Sequence, residues 1–346
     1  MKTHFRFYAW AVLIFHLGVV VWGAFVRASN SGAGCGEHWP LCNGQIVPRA
    51  QLSATLIEFS HRLTSGIALV SVLVLVIWAY RVFPKGHGVR GAALLTLIST
   101  FEECAIGAAL VLLRLVGANS SLSRGLWLAA HLINTLLLLA ALAFTAWLAS
   151  VGLRRGFRCT KQLRGISQIL AVSTAGFLIA AILGGFAALG DTLVVSKSLT
   201  ESFRADFSPL SNIFVRLRIL HPLVAGGLGC GLLAIAFRVM ASKGSNVVAK
   251  RLGGTMTVLV LFQFSLGVAD IALKTPTWLQ LLHLLIADLL WIAIVLLMAE
   301  LLPWLRTNAG KESRVPNNLR DSEFSLNAGQ FQHDWPGATQ WPRHQD

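Results

Sequence analysis

Four histidines lie within apolar stretches of the chain and recur in matching positions of its two halves. His61 corresponds to His221, and His131 corresponds to His283. A single histidine on an apolar helix face is usually a packing residue, but polar side chains inside a membrane are costly and usually functional. Two imidazoles on facing helices of one bundle can hold a heme iron between them. We therefore predict two heme sites, formed by His61 with His131 and by His221 with His283.

Zinc or copper bound between two histidines is the alternative. These metals usually take a third or fourth protein ligand, and no Cys or carboxylate recurs beside both pairs. Small residues such as Gly184-Gly185 and Gly226-Gly227 would admit a flat macrocycle, although they also serve plain helix packing.

The two predicted sites differ at the position three residues before the first histidine. Glu58 and His61 are three residues apart and share a helix face, whereas the equivalent of Glu58 in the second half is Arg218. A carboxylate there can exchange protons, and a guanidinium suits a heme propionate. The first site is therefore predicted to be reactive and the second to hold a fixed cofactor. The alternative for Glu58 is a structural salt bridge to Arg62, which, like Arg218, is a candidate propionate contact.

Further polar residues lie within the apolar stretches. Glu103 and Gln263 have the same separation as His61 and His221, and each precedes a glycine by four residues. Their spacing allows them to orient a ligand or to hydrogen-bond between helices, and both interpretations stay open. Glu102 and Asp270 have no assigned role.

Two cysteines lie in a glycine-rich polar loop, residues 29–44, which we call the cysteine loop. Cys35 and Cys42 can approach each other there, and a disulfide is our first interpretation because the outer side of a bacterial-type membrane is oxidising. A labile, redox-active bond is a variant of it. A zinc site of Cys35, His38 and Cys42 is the alternative. The remaining cysteines are expected to be free: Cys104, Cys159 and Cys230.

Composition indicates the elements that position these residues. Of 346 residues, 55% are hydrophobic and only 13% charged, against about 25% charged in a typical soluble domain. Continuous apolar runs without alternation argue against a membrane barrel and predict transmembrane helices. Eight runs lie at about 8–26, 59–80, 91–113, 126–149, 166–189, 217–237, 252–273 and 279–302.

Charge placement predicts the orientation. A net charge of +14 would indicate nucleic acid in a soluble protein, but here the basic residues lie between apolar runs and no nucleic-acid partner is expected. With the N-terminus inside, the inner segments hold 14 basic residues and no acidic ones. A cell (inner) membrane protein with both termini in the cytoplasm is predicted.

The matching halves predict the architecture, an all-α integral membrane protein with eight helices in two pseudo-symmetric four-helix bundles. Residues 1–150 would form the N-terminal bundle with the substrate heme site. Residues 151–306 would form the C-terminal bundle with the cofactor site. Residues 307–346 are polar and are predicted to be a disordered cytoplasmic tail.

The sequence closely resembles the heme A synthase family. The resemblance covers residues from about 8 to 305 and is carried by Gly32-Ala33-Gly34-Cys35, Trp39-Pro40-Leu41-Cys42-Asn43-Gly44, Glu58-Phe59-Ser60-His61-Arg62, His131, His221-Pro222 and His283.

The resemblance implies conversion of heme O to heme A, in which the ring methyl at C8 becomes a formyl group through two successive hydroxylations. By position, His61 and His131 would hold the substrate, His221 and His283 would ligate a heme b cofactor, Glu58 would be the catalytic acid/base, and Cys35 and Cys42 would be the paired cysteines of one subgroup. Heme O synthase would be the supplier, and cytochrome oxidase the consumer of the product. The residues identify neither the electron acceptor nor a donor.

The main alternative is a di-heme b-type membrane electron carrier linked to quinol, which would also use four histidines on helices. Such a carrier would need neither Glu58 opposite Arg218 nor the cysteine loop. A transporter built on the repeat is a weaker alternative, because paired histidines suit heme binding better than they suit a solute path.

Overall fold

A computed structural model describes residues 1–49, 52–151, 161–193 and 198–301, and the described residues fold into helices with no β-strand. Eight of the helices in the described residues are long: α1 (Lys2–Ala28), α2 (Ser53–Val82), α3 (Gly88–Leu112), α4 (Leu122–Val151), α5 (Lys161–Leu193), α8 (Leu220–Ala241), α9 (Val247–Ala272) and α10 (Thr277–Leu301). Two short helices lie between α5 and α8, namely α6 (Leu199–Phe207) and α7 (Ile213–Leu217).

Eight spans in the described part of the chain are long and apolar enough to cross a membrane, with α7 and α8 counted as one span, Ile213–Ala241. The protein is therefore a multi-pass membrane protein. Polar caps start several of these helices. Asn246 accepts a hydrogen bond from the backbone N–H of Ala249 at 2.7 Å, which satisfies one of the free donors of the first turn of α9.

Each half has the same ring of neighbouring helices. In the first half, α1 packs on α2, α2 on α3, α3 on α4 and α4 on α1, while in the second half the ring runs α5, α8, α9, α10 and back to α5. Contacts between the halves involve α4 with α10, α4 with α5 and α1 with α10. If each helix is replaced by its counterpart in the other half, the same three contacts result, because α4 with α5 becomes α10 with α1 and α4 with α10 is unchanged. This is compatible with two pseudo-symmetric bundles.

The backbone repeats in detail at the ends of α3 and α9. The helices end at Leu112 and Ala272, which correspond in the repeat, and shortly afterwards Arg114 and Lys274 both adopt a left-handed conformation, with φ of 56° and 60°. A left-handed residue is a common way to end a helix, although glycine is the usual choice. The same unusual solution at the same place is consistent with the repeat in the sequence.

The interface between the halves is built on α4 and α10. These are the most buried spans, with 61% and 50% of their most apolar stretches buried. Trp291 of α10 donates its indole N–H to the carbonyl of Leu136 in α4 at 2.7 Å, and Trp147 donates to the Glu300 carboxylate at 3.2 Å. Polar donors buried in the interface are thus paired across it.

The helices extend past the predicted apolar runs on both sides of the membrane. At the cysteine-loop end, α2 begins at Ser53 and α4 at Leu122, ahead of the starts predicted near 59 and 126, and at the opposite end α1 begins at Lys2, ahead of the start predicted near 8. Hydropathy finds the apolar centre of a helix, whereas polar end turns continue beyond it. The predicted tail, 307–346, lies outside the described residues, as does Cys159.

We predict that Trp291→Phe destabilises the pairing of the halves, since Phe keeps most of the ring but removes the buried N–H donor. The loss is expected to be about 1 kcal/mol, or roughly 2–4 °C in the melting temperature of the detergent-solubilised protein. Trp278→Phe on the same helix is the control, because Trp278 is 62% exposed and Trp291 is 2% exposed. Equal melting temperatures for the two variants would contradict the interpretation.

Candidate functional site

The first histidine of each half stands against a glycine of a neighbouring helix. A Cβ added to Gly23 of α1 would lie 2.8 Å from Cε1 of His61, and one added to Gly184 of α5 would lie 2.9 Å from Cε1 of His221. Only glycine leaves room for either ring in its present position. The same close approach of a histidine ring to a glycine occurs in both halves, so it belongs to the structural repeat.

The histidine pair of the second half faces across the interior of the bundle. The ring centroids of His221 and His283 are 6.2 Å apart and the ring planes are 80° apart. Nδ1 of His221 lies 3.0 Å from the carbonyl oxygen of Ala180. Because a carbonyl only accepts, Nδ1 carries the proton and Nε2 keeps its lone pair for a metal. Gln263 holds the other ring, with its Nε2 3.0 Å from Nε2 of His283.

The second histidine of the first half has a carboxylate where its counterpart has an amide. Nδ1 of His131 lies 3.4 Å from Oε1 of Glu103. Thr135 donates to Oε1 of this carboxylate at 2.5 Å, and Asn134 donates to Oε2 at 2.6 Å. Glu103 therefore links α3 to α4, which is the interhelical hydrogen-bonding role left open for it. A role in orienting a ligand stays a prediction, since Nδ1 of His131 has no hydrogen-bond partner.

Ring nitrogens of three of the repeated histidines are buried without a hydrogen-bond partner, namely Nδ1 of His61, His131 and His283, and Nε2 of His16 on α1 is buried in the same way. The unpartnered nitrogens therefore do not distinguish the four repeated histidines, and their role as heme ligands stays a prediction. The described residues contain no group of three or more His, Cys, Asp or Glu side chains that could hold a metal ion.

Glu58 lies beside His61 on α2 and is 3% exposed. Its Oε2 accepts the backbone N–H of Cys35 at 2.8 Å, and its Oε1 accepts the Nη2 of Arg62 at 2.5 Å. The salt bridge that the sequence offered as an alternative for Glu58 is therefore present. The same carboxylate also accepts a hydrogen bond from the cysteine loop, and a catalytic role for it stays a prediction.

The cysteine loop is closed by a disulfide between Cys35 and Cys42. The backbone N–H of Asn43 donates to the carbonyl of Cys35 at 2.9 Å, and Thr55 of α2 donates to the carbonyl of Gly34 at 2.8 Å. The disulfide uses both thiols, so the alternative zinc site with His38 is wrong in this structure. The loop is thereby fixed against the start of α2, directly above Glu58.

The arginines proposed as propionate contacts have protein partners. Arg62 donates Nη1 to the carbonyls of His38 and Leu41 at 2.6 and 2.7 Å, in addition to its bonds to Glu58. Arg218 pairs with Asp191 at 2.9 Å and with Asp206, and it donates to Ser202. A propionate contact for either side chain stays a prediction, and it would require an exchange of these partners.

Sequence reasoning missed the acidic partners of Arg218 and the link from Arg27 to the second half. Arg27 of α1 donates to the carbonyl of Ala188 in α5 at 2.9 Å. Asp191 lies near the end of α5, and Asp206 lies near the end of α6. Their convergence on one guanidinium depends on the fold of α6 and α7, and nothing in the spacing of the residues predicts it.

Comparison with known proteins places this geometry in context. Residues 6–295 match the family described as COX15-CtaA, cytochrome oxidase assembly protein. The chain is 42% identical over 298 residues to a protoheme IX farnesyltransferase of Thermus thermophilus, an alignment that covers 85% of this chain and 48% of that protein.

Shorter alignments match proteins named heme A synthase. The chain is 37% identical over 111 residues to that of Lysinibacillus sphaericus (strain C3-41), covering 32% of this chain and 36% of the relative. It is 40% identical over 111 residues to that of Geobacillus kaustophilus (strain HTA426), covering 32% and 35%. The chain thus spans half or less of the length of these curated relatives.

We predict that Cys35 and Cys42 resist alkylation in denatured, unreduced protein and become alkylated after reduction, because they are bonded to each other. Cys104 and Cys230, which are free, serve as internal controls and should be alkylated in both cases. Peptide mass spectrometry measures this. Alkylation of Cys35 and Cys42 before reduction would contradict the bond in the isolated protein.

Proposed function

Because the chain belongs to the COX15-CtaA family of cytochrome oxidase assembly proteins, we propose that it is a heme A synthase. In this proposal, it oxidises the C8 methyl of heme O to a formyl group by two successive hydroxylations. Residues 1–150 bind the substrate through His61 and His131. Residues 151–306 hold a heme b cofactor between His221 and His283.

The observation that carries the proposal is that each half places two histidines on facing helices of its bundle, in matching positions. His221 and His283 face each other, and His61 takes the same position against Gly23 that His221 takes against Gly184. Two equivalent sites with unequal surroundings suit one site for a reactant and one for a resident cofactor. A bound heme b would supply one-electron redox chemistry to the second site.

Glu58 is the proposed catalytic acid/base. Two hydroxylations of the methyl group would give a geminal diol, and its loss of water to leave the formyl group needs a residue that moves a proton between the two hydroxyl groups beside the substrate. Glu58 precedes His61 by one helical turn and is buried, whereas Arg218 at the equivalent position can only donate. Arg62 and the N–H of Cys35 fix the orientation of the carboxylate. A positioned carboxylate suits proton transfer better than a mobile one.

The proposed partner is the enzyme that makes heme O. A relative that matches this chain over 85% of its length is named protoheme IX farnesyltransferase, and a farnesylated heme is the substrate proposed here. The chain covers only 48% of that relative. We infer that heme is farnesylated close to this protein and passed to it within the membrane.

We further propose a cell (inner) membrane location with both termini in the cytoplasm. The support is the positive charge of the segments that join the spans on the side of the termini. The cysteine loop then lies on the outer side, where a disulfide persists.

Identification of the bound pigment separates this function from a di-heme b-type carrier. The purified protein is extracted with acidic acetone and its hemes are separated by chromatography. Heme b together with heme O or heme A supports the synthase. Heme b alone at two per chain would refute it and support the carrier.

We predict that His221→Ala and His283→Ala lose heme b, whereas His61→Ala and His131→Ala lose heme O or heme A but keep heme b. Each change removes one axial ligand from one site only. His16→Gln is the control, because His16 is buried in α1 and has no repeat partner. Loss of the same heme in all four alanine variants would overturn the assignment of the halves.

We predict that Glu58→Gln keeps both hemes but lowers the rate of heme A formation by about 10²–10⁴-fold, because an amide cannot accept the proton. The control is Glu37→Gln, which removes an exposed carboxylate paired with Arg114 at the same end of the protein. If Glu58 were only a partner of Arg62, the variant would stay within a few-fold of the native rate. Heme A yield, measured beside heme content, decides between the two.

A further inference from the structure

Two arginines lie between the first histidine site and the cysteine-loop end of the protein. Arg27 comes four residues after Gly23 on α1, which meets the ring of His61, and Arg124 comes seven residues before His131 on α4. Residues four or seven apart share one face of a helix, and these separations correspond to about 6 Å and about 10 Å of helix. Each arginine therefore lies on the helix face that carries a group of the first site.

Arg124 is almost fully buried and has a donor that the chain does not use. It is 3% exposed, and its Nη1 donates to the carbonyl oxygens of Gly117 and Asn119 at 2.6 Å. Its Nε is buried without a hydrogen-bond partner in the described residues. A buried donor of this kind costs free energy unless an acceptor contacts it. The connection between α3 and α4 thus holds one nitrogen of the guanidinium and leaves Nε available to an acceptor.

The charges of both arginines lack a directly bonded carboxylate. Arg27 donates its Nη1 to the carbonyl oxygen of Ala188 at 2.9 Å, and neither Arg27 nor Arg124 forms an ion pair with a carboxylate of the described residues. The two guanidinium groups are close enough to repel each other, and Asp191, which attracts Arg27, is bonded to Arg218 at 2.9 Å. An anionic group in contact with the arginines would compensate their charge directly.

The second half has no cation at the equivalent positions. When the glycines and the second histidines of the two halves are aligned, Ala188 takes the position of Arg27 and Pro276 takes that of Arg124. The buried cation of the second half is Arg218, which is bonded to two carboxylates. The two arginines are therefore a feature of the first half alone, and the repeat by itself does not account for them.

We propose that Arg27 and Arg124 bind the propionate groups of the heme substrate, a conclusion that rests on the proposed function and names the contacts that orient the ring in the first half. A propionate is a carboxylate, which a guanidinium binds through two parallel hydrogen bonds. Both propionates leave the same edge of a heme, so contact with the two arginines turns that edge toward the cysteine-loop end. Arg62 and Arg218 lack this free charge, because each forms an ion pair within the chain.

The test compares protoheme, which has the same two propionates as heme O, with its dimethyl ester, in which both propionates are uncharged. The full chain in nanodiscs of zwitterionic lipid is titrated with each, and the uptake that is lost in His61→Ala defines the first site. The native protein is expected to bind protoheme at least about tenfold more tightly than the ester, because esterification removes charge-assisted hydrogen bonds. In the double variant Arg27→Gln, Arg124→Gln this preference should fall to about twofold or less, while the affinity for the ester stays near its native value.

Arg114→Gln is the matched control, because Arg114 is an exposed arginine at the same end of the protein and is paired with Glu37. It should keep the native preference, whereas an equal fall in this control would overturn the proposal by assigning the effect to general positive charge. Arg27→Lys keeps the charge and should retain most of the preference. Arg27→Gln alone leaves the bonds of Arg124 in place, should give an intermediate preference, and decides the question if the double variant does not fold.

Equal affinity of the native protein for protoheme and for the ester would overturn the propionate site, favour a lipid phosphate as the anion and leave the proposed function standing. An equal loss of both ligands in the glutamine variants would overturn it too, since the arginines would then only hold the helices together. Absence of any His61-dependent uptake in the native protein would refute the proposed function itself, and the propionate site with it.

Discussion

Placing imidazole rings inside an apolar helix bundle is the constraint on which the rest of this structure depends. A ring that is to contact a ligand cannot be covered by neighbouring side chains, yet it must be held in one orientation. The protein meets both needs by setting the rings of His61 and His221 against glycines, where a single methyl group would collide with the ring. This fixes the register of α1 on α2 and of α5 on α8, and through them the shape of each bundle.

The halves share this frame but differ in the groups that surround the rings. The second histidine of the first half contacts a carboxylate, Glu103, while that of the second half contacts the amide of Gln263. In the proposed heme sites, a carboxylate beside the imidazole would increase its electron donation to the iron, and an amide would do so less. Matching positions of the two halves thus carry different polar groups within the same arrangement of helices.

The sequence was sufficient for the features that depend on local pattern. Continuous apolar runs predicted the eight spans, and the short glycine-flanked spacing of Cys35 and Cys42 predicted the disulfide. It was insufficient for the convergence of Asp191 and Asp206 on Arg218, since Asp191 lies near the end of α5 and Asp206 lies in the separate short helix α6. Helix ends were also misplaced, because the polar first turns of α2 and α4 have no hydropathy signal.

The buried charges at positions 58 and 218 show how one architecture accepts opposite signs. Glu58 is surrounded by donors, the N–H of Cys35 and the guanidinium of Arg62. Arg218 is surrounded by acceptors, the carboxylates of Asp191 and Asp206 and the hydroxyl of Ser202. Since an uncompensated charge inside a bundle is strongly unfavourable, each half places an opposite charge beside its own. Arg62 of α2 does this for Glu58, and the N–H of Cys35 in the cysteine loop adds a second donor. Asp191 of α5 and Asp206 of α6 do it for Arg218. The two long connections therefore differ in sequence because they supply groups to buried side chains of opposite sign.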